Sequence, residues 1–454
     1  MVGKDDLNQP HQARSFVASR DISRCRVGDM RISAALLTDR YELSMYAALL
    51  ADGRVEAPAT FELFARRLPE GRRFGMVAGL GRFLDALTDF HFDDDTLAWL
   101  QDAKVIDAAT ATSLANWRFT GTIRAYREGE TWFPNSPILS VQAPLGEGLI
   151  LETLALSIFN HDSAIASAAA RMVLAADGRT LIEMGSRRTH EEAAVATARA
   201  AYVAGFSTTS NLAAGAAYGV PTAGTVAHAF VLAHQSEAEA FAAQMAAQGT
   251  GTTILVDTYD TEQGIATAVR VAQDLGATGP GAIRIDSGDL PTAVAAARAQ
   301  LDSLGATDTK IVVTSDLDEY LITELALSAV DAYGVGTRVA TGSGHPTAGF
   351  VYKLVELDDR PVAKRASGKA NVGGLKTPYR YPDGREAFRV DGVVPPGARP
   401  LQVDVVRAGE VLPIPTLLEA REYAAAALAD LPPAARHITS GPPATTAVLE
   451  GDPA

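Results

Sequence analysis

The stretch "TTILVDTYDTEQGIATAVRVAQDLGATGPGAIRIDSGDL", residues 252–290, decides the fold. It reads as a short apolar strand ending at Asp257 and an amphipathic helix over 261–274. A second apolar strand then ends in Arg284-Ile285-Asp286 and turns through Ser287-Gly288 into another helix. A helix between two such strands is the crossover that parallel pairing requires. Working outward, "TLIEM" at 180–184, "PTAGT" at 221–225, "KIVVTS" at 310–315 and "DAYGVG" at 331–336 continue the series. Amphipathic stretches at 190–204, 237–248, 290–304 and 317–328 fill most of the gaps. An open doubly wound sheet and a barrel both satisfy this rhythm. Polar or Gly residues follow nearly every strand: Arg187, His228, Asp257, Asp286, Ser315 and Gly336. In a barrel those ends meet on one face, whereas an open sheet concentrates them near one switch point. The pattern favours the barrel.

The flanks lack this rhythm. Residues 1–30 read as a flexible polar tail, and 31–145 as an α+β domain with a helix from Leu36 to Leu50 and strands between Phe119 and Val141. Residues 146–356 form the barrel core, opened by an Ala-rich helix over 149–176. The basic, Gly-rich "RPVAKRASGKANVGGLKTPYRYPDG" begins a segment, 357–430, expected to return to the α+β domain. The tail from Leu431 to residue 454, with five prolines, is expected to be loosely attached.

Composition narrows the function. Forty Lys+Arg against 54 Asp+Glu leave a formal charge of -14, which argues against a nucleic-acid scaffold. A small phosphorylated ligand remains open, because it needs only a local cluster of cations and backbone N–H groups. Cys25 is the single cysteine, so an intrachain disulfide and a thiolate-built zinc site are both excluded. With no signal-like apolar segment near the start and no run approaching the roughly 18 apolar residues of a span, the expectation is a cytoplasmic protein without membrane contact.

Arg284 and Asp286 share one face of their strand, two residues apart. The arginine offers a phosphate its fork of donors, and the carboxylate can hold ribose hydroxyls or orient a bound magnesium; an Arg–Asp ion pair beside a helix cap is the plainer alternative. Gly334 and Gly336 let backbone approach phosphate closely, although such glycines often only serve turns. His228 follows a Gly-bearing strand end, where a neutral imidazole can act as base or nucleophile, although a lone histidine is commonly structural. Arg187 and Arg188, between strand and helix, favour a carboxylate or phosphate; Arg188 could equally partner Glu191 or Glu192. His161, within the apolar helix, reads as structural. Together these residues describe an α/β barrel enzyme handling a phosphorylated sugar or nucleotide, with Mg²⁺ as the expected ion.

Nine segments in order sharpen this: "LLTDRYELSMYAALL", "FELFARRLP", "FPNSPILSV", "EMGSRR", "TSNLAAGAAYGVPTAGTVAHAF", "VDTYDT", "IRIDSGDL", "SDLDEY" and "AYGVGTRVATG" with "GFVYKLVEL". Over residues 36–380 the chain resembles the nicotinate phosphoribosyltransferases. The resemblance implies a type II phosphoribosyltransferase fold, an irregular (β/α) barrel beside an α+β domain built from N- and C-terminal segments. It also implies a homodimer with shared active sites. The implied substrates are nicotinate, 5-phosphoribosyl 1-diphosphate and ATP, with Mg²⁺ and no tightly bound organic cofactor. Tyr41 matches the aromatic residue that stacks on the pyridine ring from the partner subunit, Arg187 the arginine near the nicotinate carboxylate, and Ser210 a pocket residue. Related nicotinamide-using enzymes typically carry an aspartate at the Ser210 position, so a serine suits a carboxylate better. His228 matches the histidine that ATP phosphorylates. Arg284 and Asp286 match residues near the phosphates and ribose hydroxyls, with Asp286 an indirect Mg²⁺ candidate. Gly334, Gly336 and Thr337 match the 5′-phosphate cradle. Thr209, Asp257 and Ser287 complete the substrate-binding candidates, and Lys364, Arg365, Lys369 and Lys376 are loosely matched to polyphosphate binding.

Three places depart from the family pattern. Thr208 stands where glycine is usual, Ala229 follows the histidine where many relatives have serine, and "ASGKAN" differs from the usual sequence. None removes a charged contact. Nicotinamide or quinolinate transfer on the same fold is the nearest rival, the latter demanding a more basic ring pocket. A non-enzymatic binding protein would leave His228, Arg284 and Asp286 apart in space.

Overall fold

The computed structural model describes residues 33–364 and 371–451. The tail at 1–30, Cys25, Arg365 and Lys369 lie outside the described residues.

Six parallel strands carry the site: Thr180–Glu183 (β1), Thr208–Thr209 (β2), Thr253–Leu255 (β3), Ala282–Ile285 (β4), Lys310–Val313 (β5) and Ala332–Val335 (β6). Their order in the sheet is β2-β1-β6-β5-β4-β3. The last strand therefore pairs with the first, β6 on β1, and the chain runs around the circuit in sequence order. Beyond β2 the pairing ends in a single parallel bridge between Thr209 and Thr222. The sheet is thus a barrel curled on itself and open at one seam, between the 222 segment and β3. "PTAGT", expected as a strand, supplies only that bridge, with Thr209 N donating to Pro221 O and Ala223 N to Thr209 O, both at 2.9 Å. Pro221 has no N–H to extend the ladder and Gly224 no side chain to pack, which explains the early stop.

The second domain joins both ends of the sequence. Strand Pro58–Ala65 lies between Leu139–Pro144 and Phe350–Leu357, antiparallel to both, and is buried from Ala59 onward. Gln402–Arg407 pairs with Thr122–Tyr126 on the far side of the same seven-stranded sheet. Phe61 stacks on Tyr352 with ring centroids 5.1 Å apart. Lys376 meets the buried Glu62 carboxylate at 2.5 Å, so this lysine is committed to the sheet and is not free for the polyphosphate binding loosely expected of it.

Helix Glu152–Ala176 runs between the two cores, and every residue from 162 to 172 is buried. Its small side chains admit neighbours closely: Ser163 accepts from Ala78 N at 3.1 Å and Ser167 from Met76 N at 2.9 Å. His161 bonds its neighbour Asp162 at 2.9 Å, as its structural reading expected. No described helix is long and apolar enough to cross a membrane.

The expected loose attachment of the chain after Leu431 is corrected. Leu431, Ala435 and Ala447 are buried, and Val448–Leu449 joins the strand Glu386–Arg389. The hydroxyls of Tyr379 and Tyr381 both donate to Glu450 at 2.8 Å. Prolines break helices here, but the apolar residues between them still find a core to cover.

Helix Arg40–Ala51 is tied to the long helix through Glu42, whose buried carboxyl accepts from Thr153 N at 2.9 Å and Thr153 Oγ1 at 2.5 Å. Burial pushes this carboxyl up to about 7, against the opposing pull of the Thr153 hydrogen bonds. A raised folded-state value gives a stabilising term that is complete below the ordinary carboxyl range and is lost as pH rises through about 7. The Glu42→Gln variant, measured by chemical denaturation, is therefore expected to lose less stability than the parent between about pH 5 and pH 8.

Candidate active site

Strand β4 places the first pair. Ile283 and Ile285 are fully buried, and the alternation turns Arg284 into the barrel mouth with Asp286 just beyond it. The Arg284 guanidinium makes three contacts: Nε to Thr314 Oγ1 at 3.0 Å, Nη1 to Thr225 Oγ1 at 3.0 Å, and Nη2 to Asp286 Oδ2 at 3.1 Å. Thr314, at the end of β5, donates in turn to Asp286 Oδ1. Arginine, threonine and aspartate thus form a closed triangle in which each fixes the other two.

The β3 end supports this triangle. Asp257 Oδ2 accepts from Asp286 N at 2.7 Å and Ser287 Oγ at 2.8 Å, while its Oδ1 is buried with no protein partner. His228 opens the short helix His228–Leu232; its Nδ1 lies 3.2 Å from Thr258 Oγ1 and its Nε2 3.9 Å from Asp286 Oδ2. The contacts Thr225–Arg284 and His228–Thr258 both cross the unpaired seam. Side chains of the site therefore close the barrel where its backbone does not.

Gly336 and Thr337, after β6, share a cavity of about 170 Å³ with Arg187, Arg188, Arg284 and Asp286. Three guanidiniums in so small a space suit an anion. Gly334, expected in a phosphate cradle, has a firmer reason to be glycine: a Cβ there would lie 2.5 Å from Thr314 Cγ2 and 2.7 Å from Met184 Sδ. Ser315 and Asp316 line the same cavity with φ of +94° and +42°. Each such non-glycine residue costs on the order of 1–3 kcal/mol, and surrounding contacts must hold it.

Three expected substrate contacts stand apart from this cluster. Ser210 is exposed at the end of β2, its N donating to Glu183 O at 2.8 Å. Thr209 is corrected: it is buried, its hydroxyl donating to Glu183 Oε2 at 2.5 Å and accepting from Asn211 N at 3.0 Å, so it braces the floor instead of facing ligand. Burial pushes the Glu183 carboxyl up, opposed by the bonds from Thr209 and Gly185. Tyr41 is 45% exposed on the other domain and does not line the cavity of its own chain. Burial, then Glu152, Glu42 and Asp39, raise its phenol to about 12, so the ring stays neutral. Thr225, Thr258 and Thr314 escaped the sequence reading, since threonine is ordinary in strands and at strand ends; their position after "PTAG", "LVD" and "IVV" was the available signal.

Comparison with known proteins accords with this geometry. Residues 36–160 match the nicotinate phosphoribosyltransferase (NAPRTase) N-terminal domain, and residues 180–369 match the nicotinate phosphoribosyltransferase (NAPRTase) family. A nicotinate phosphoribosyltransferase of Mycobacterium tuberculosis is 53% identical over 432 residues, covering 92% of this chain and 95% of that protein. The human nicotinate phosphoribosyltransferase is 30% identical over 508 residues, covering 89% and 93%. The crystal structure of human nicotinic acid phosphoribosyltransferase superposes with a TM-score of 0.78 at 26% identity, covering 91% of this chain and 97% of that one. With two family models in tandem and relatives matched almost end to end, this chain belongs to the nicotinate phosphoribosyltransferase family.

Proposed function

We infer that this chain joins nicotinate to 5-phosphoribosyl 1-diphosphate, releasing diphosphate and forming nicotinate mononucleotide for the salvage of NAD. The observation that carries the reading is the convergence of Arg284, Asp286, His228, Arg187 and Gly336 at one barrel mouth, as a phosphorylated ribose requires.

In the transfer, the ring nitrogen of nicotinate attacks C1 of the ribose as the bond from C1 to the diphosphate oxygen breaks. The sugar gains cationic character, so the site must chiefly hold both reactants in line and stabilise the departing charge. Arg284 faces the phosphates, Asp286 the ribose hydroxyls, and Gly336 with Thr337 the 5′-phosphate. Arg187 attracts the nicotinate carboxylate, and Ser210 adds no negative charge to repel it. Among the described residues no group of three or more His, Cys, Asp or Glu could itself hold a metal ion. Mg²⁺ would find Asp257, whose Oδ1 has no protein partner, and Asp286 beside it, and once bound with the diphosphate it would offset the charge of the leaving group.

His228 is the proposed acceptor of the ATP γ-phosphoryl group. The imidazole is held by Thr258 beside Asp286, and a phosphoryl group there would add charge and acceptor oxygens next to the diphosphate subsite. A dimer with Tyr41 stacking in the neighbouring site is supported by two exposed apolar surfaces. Leu37, Tyr41 and Met45 recur at four-residue steps on one domain; on the other, exposed Leu212 and Tyr259 follow the ends of β2 and β3, and exposed Leu232 ends the helix that His228 opens.

A product assay with 5-phosphoribosyl 1-diphosphate is expected to yield nicotinate mononucleotide from nicotinate and to be stimulated by ATP; strong preference for nicotinamide would defeat the substrate assignment. The His228→Ala variant should retain some transfer while losing ATP stimulation, and stimulation of normal size would remove His228 from that role. Thr314→Val keeps the side-chain volume but opens the Arg284–Asp286 triangle. Its kcat/KM is expected to fall about ten- to a hundredfold through misplacement of both groups, as steady-state kinetics would read.

A further inference from the structure

Two consecutive strand-end loops of the barrel hold non-glycine residues in the left-handed region. After β5 these are Ser315 and Asp316; after β6 it is Ser343, at φ +51° between Gly342 and Gly344. The first loop and the Gly336–Thr337 turn that opens the second both line the cavity.

One buried carboxylate joins them. Glu319 follows the first loop directly, and neighbouring Asp318 fixes that helix start by accepting from Tyr320 N at 3.0 Å and Leu321 N at 2.9 Å. Glu319 Oε1 accepts from Arg171 Nε at 3.0 Å, while Oε2 accepts from Ser343 Oγ at 2.6 Å. Neutralising Arg171 accounts for the first oxygen only; the second reaches across to the next loop. From the other domain, buried Arg72 donates through Nη2 to Gly342 O at 2.7 Å, so the residue preceding Ser343 is also held. Between Ser343 and the cavity the backbone is a compact turn, with Thr341 N and Oγ1 both donating to Thr337 O, at 3.0 and 2.8 Å. Although burial pushes the Glu319 carboxyl up, the Ser343 bond and the nearby guanidiniums bring it below its ordinary value. It is the ionised form that accepts from both partners.

We propose that Glu319 and Ser343 are positioning residues, a clasp between a buried carboxylate and a half-buried hydroxyl that holds the β5 and β6 loops at the separation a ligand phosphate needs. The clasp touches no substrate. It acts through Gly336 and Thr337 on one side and Thr314–Asp316 on the other, and it rests on the phosphoribosyl-transfer reading of the cavity.

The test uses the full chain with Ser343→Ala and Ser343→Gly; the glycine variant relieves the left-handed backbone and so guards against simple misfolding. Both are expected to raise KM for 5-phosphoribosyl 1-diphosphate about tenfold, the size of one lost hydrogen bond to a charged group, with kcat changed by less than about twofold. Amide hydrogen exchange should rise in residues 314–318 as well as 336–344. Unchanged KM, with exchange raised only at 341–345 in the glycine variant, would overturn the clasp. If the parent protein forms no nicotinate mononucleotide, the transfer reading fails instead, and the exchange pattern alone decides whether the two loops are coupled.

Discussion

A guanidinium in the mouth of a barrel must be satisfied on every side, and that constraint organises this molecule. Arg284 is only 12% exposed at its side chain, too buried for water to serve all its donors. Thr314 meets it from the end of β5, Asp286 from the end of its own strand β4, and Thr225 from the loop beyond the Thr222 bridge. Two of these partners are themselves fixed, Asp286 by Asp257 and Thr314 by the packing that requires Gly334. The direction in which Arg284 points is therefore a property of the whole barrel. An anionic ligand would enter a field already aimed at it, with little reorganisation left to do.

The same contacts explain how an incomplete barrel stays closed. Backbone pairing runs from β2 through β1 and β6 to β3 and leaves a seam beside the 222 segment. Threonine hydroxyls and the His228 imidazole span it. Leaving the ladder open there frees the loop before His228 from strand geometry, so the histidine can stand at the mouth, 42% exposed, while staying within reach of Asp286.

Much of this was legible in the sequence because it follows from periodicity. Alternation along "AIRID" placed Arg284 and Asp286 on one face, and repeated strand–helix spacing placed His228, Asp257 and Gly336 at one end of a barrel. What escaped was set by packing between segments distant in the chain. Gly334 lines the cavity beside Gly336, and what its sequence did not reveal is the packing of Thr314 and Met184 that excludes a side chain there. Thr209 looked like a ligand contact, yet it serves a buried carboxyl that only the folded floor reveals. Lys376 sat in a basic run and turned out to neutralise Glu62, more than three hundred residues earlier. The terminal prolines suggested a loose end because composition says nothing of the groove the residues between them fill.

The interior strand Pro58–Ala65 of the seven-stranded sheet has a further consequence. One of its two neighbours, Phe350–Leu357, is separated from it by the entire barrel sequence. During synthesis that edge stays open until the barrel has emerged, and pairings of such long range close slowly because the intervening chain must first be ordered. A buried apolar strand with a vacant edge is a template for unwanted pairing between chains. The nascent chain would thus carry an uncovered strand edge until its last quarter, which begins near Phe350, arrives to pair with it.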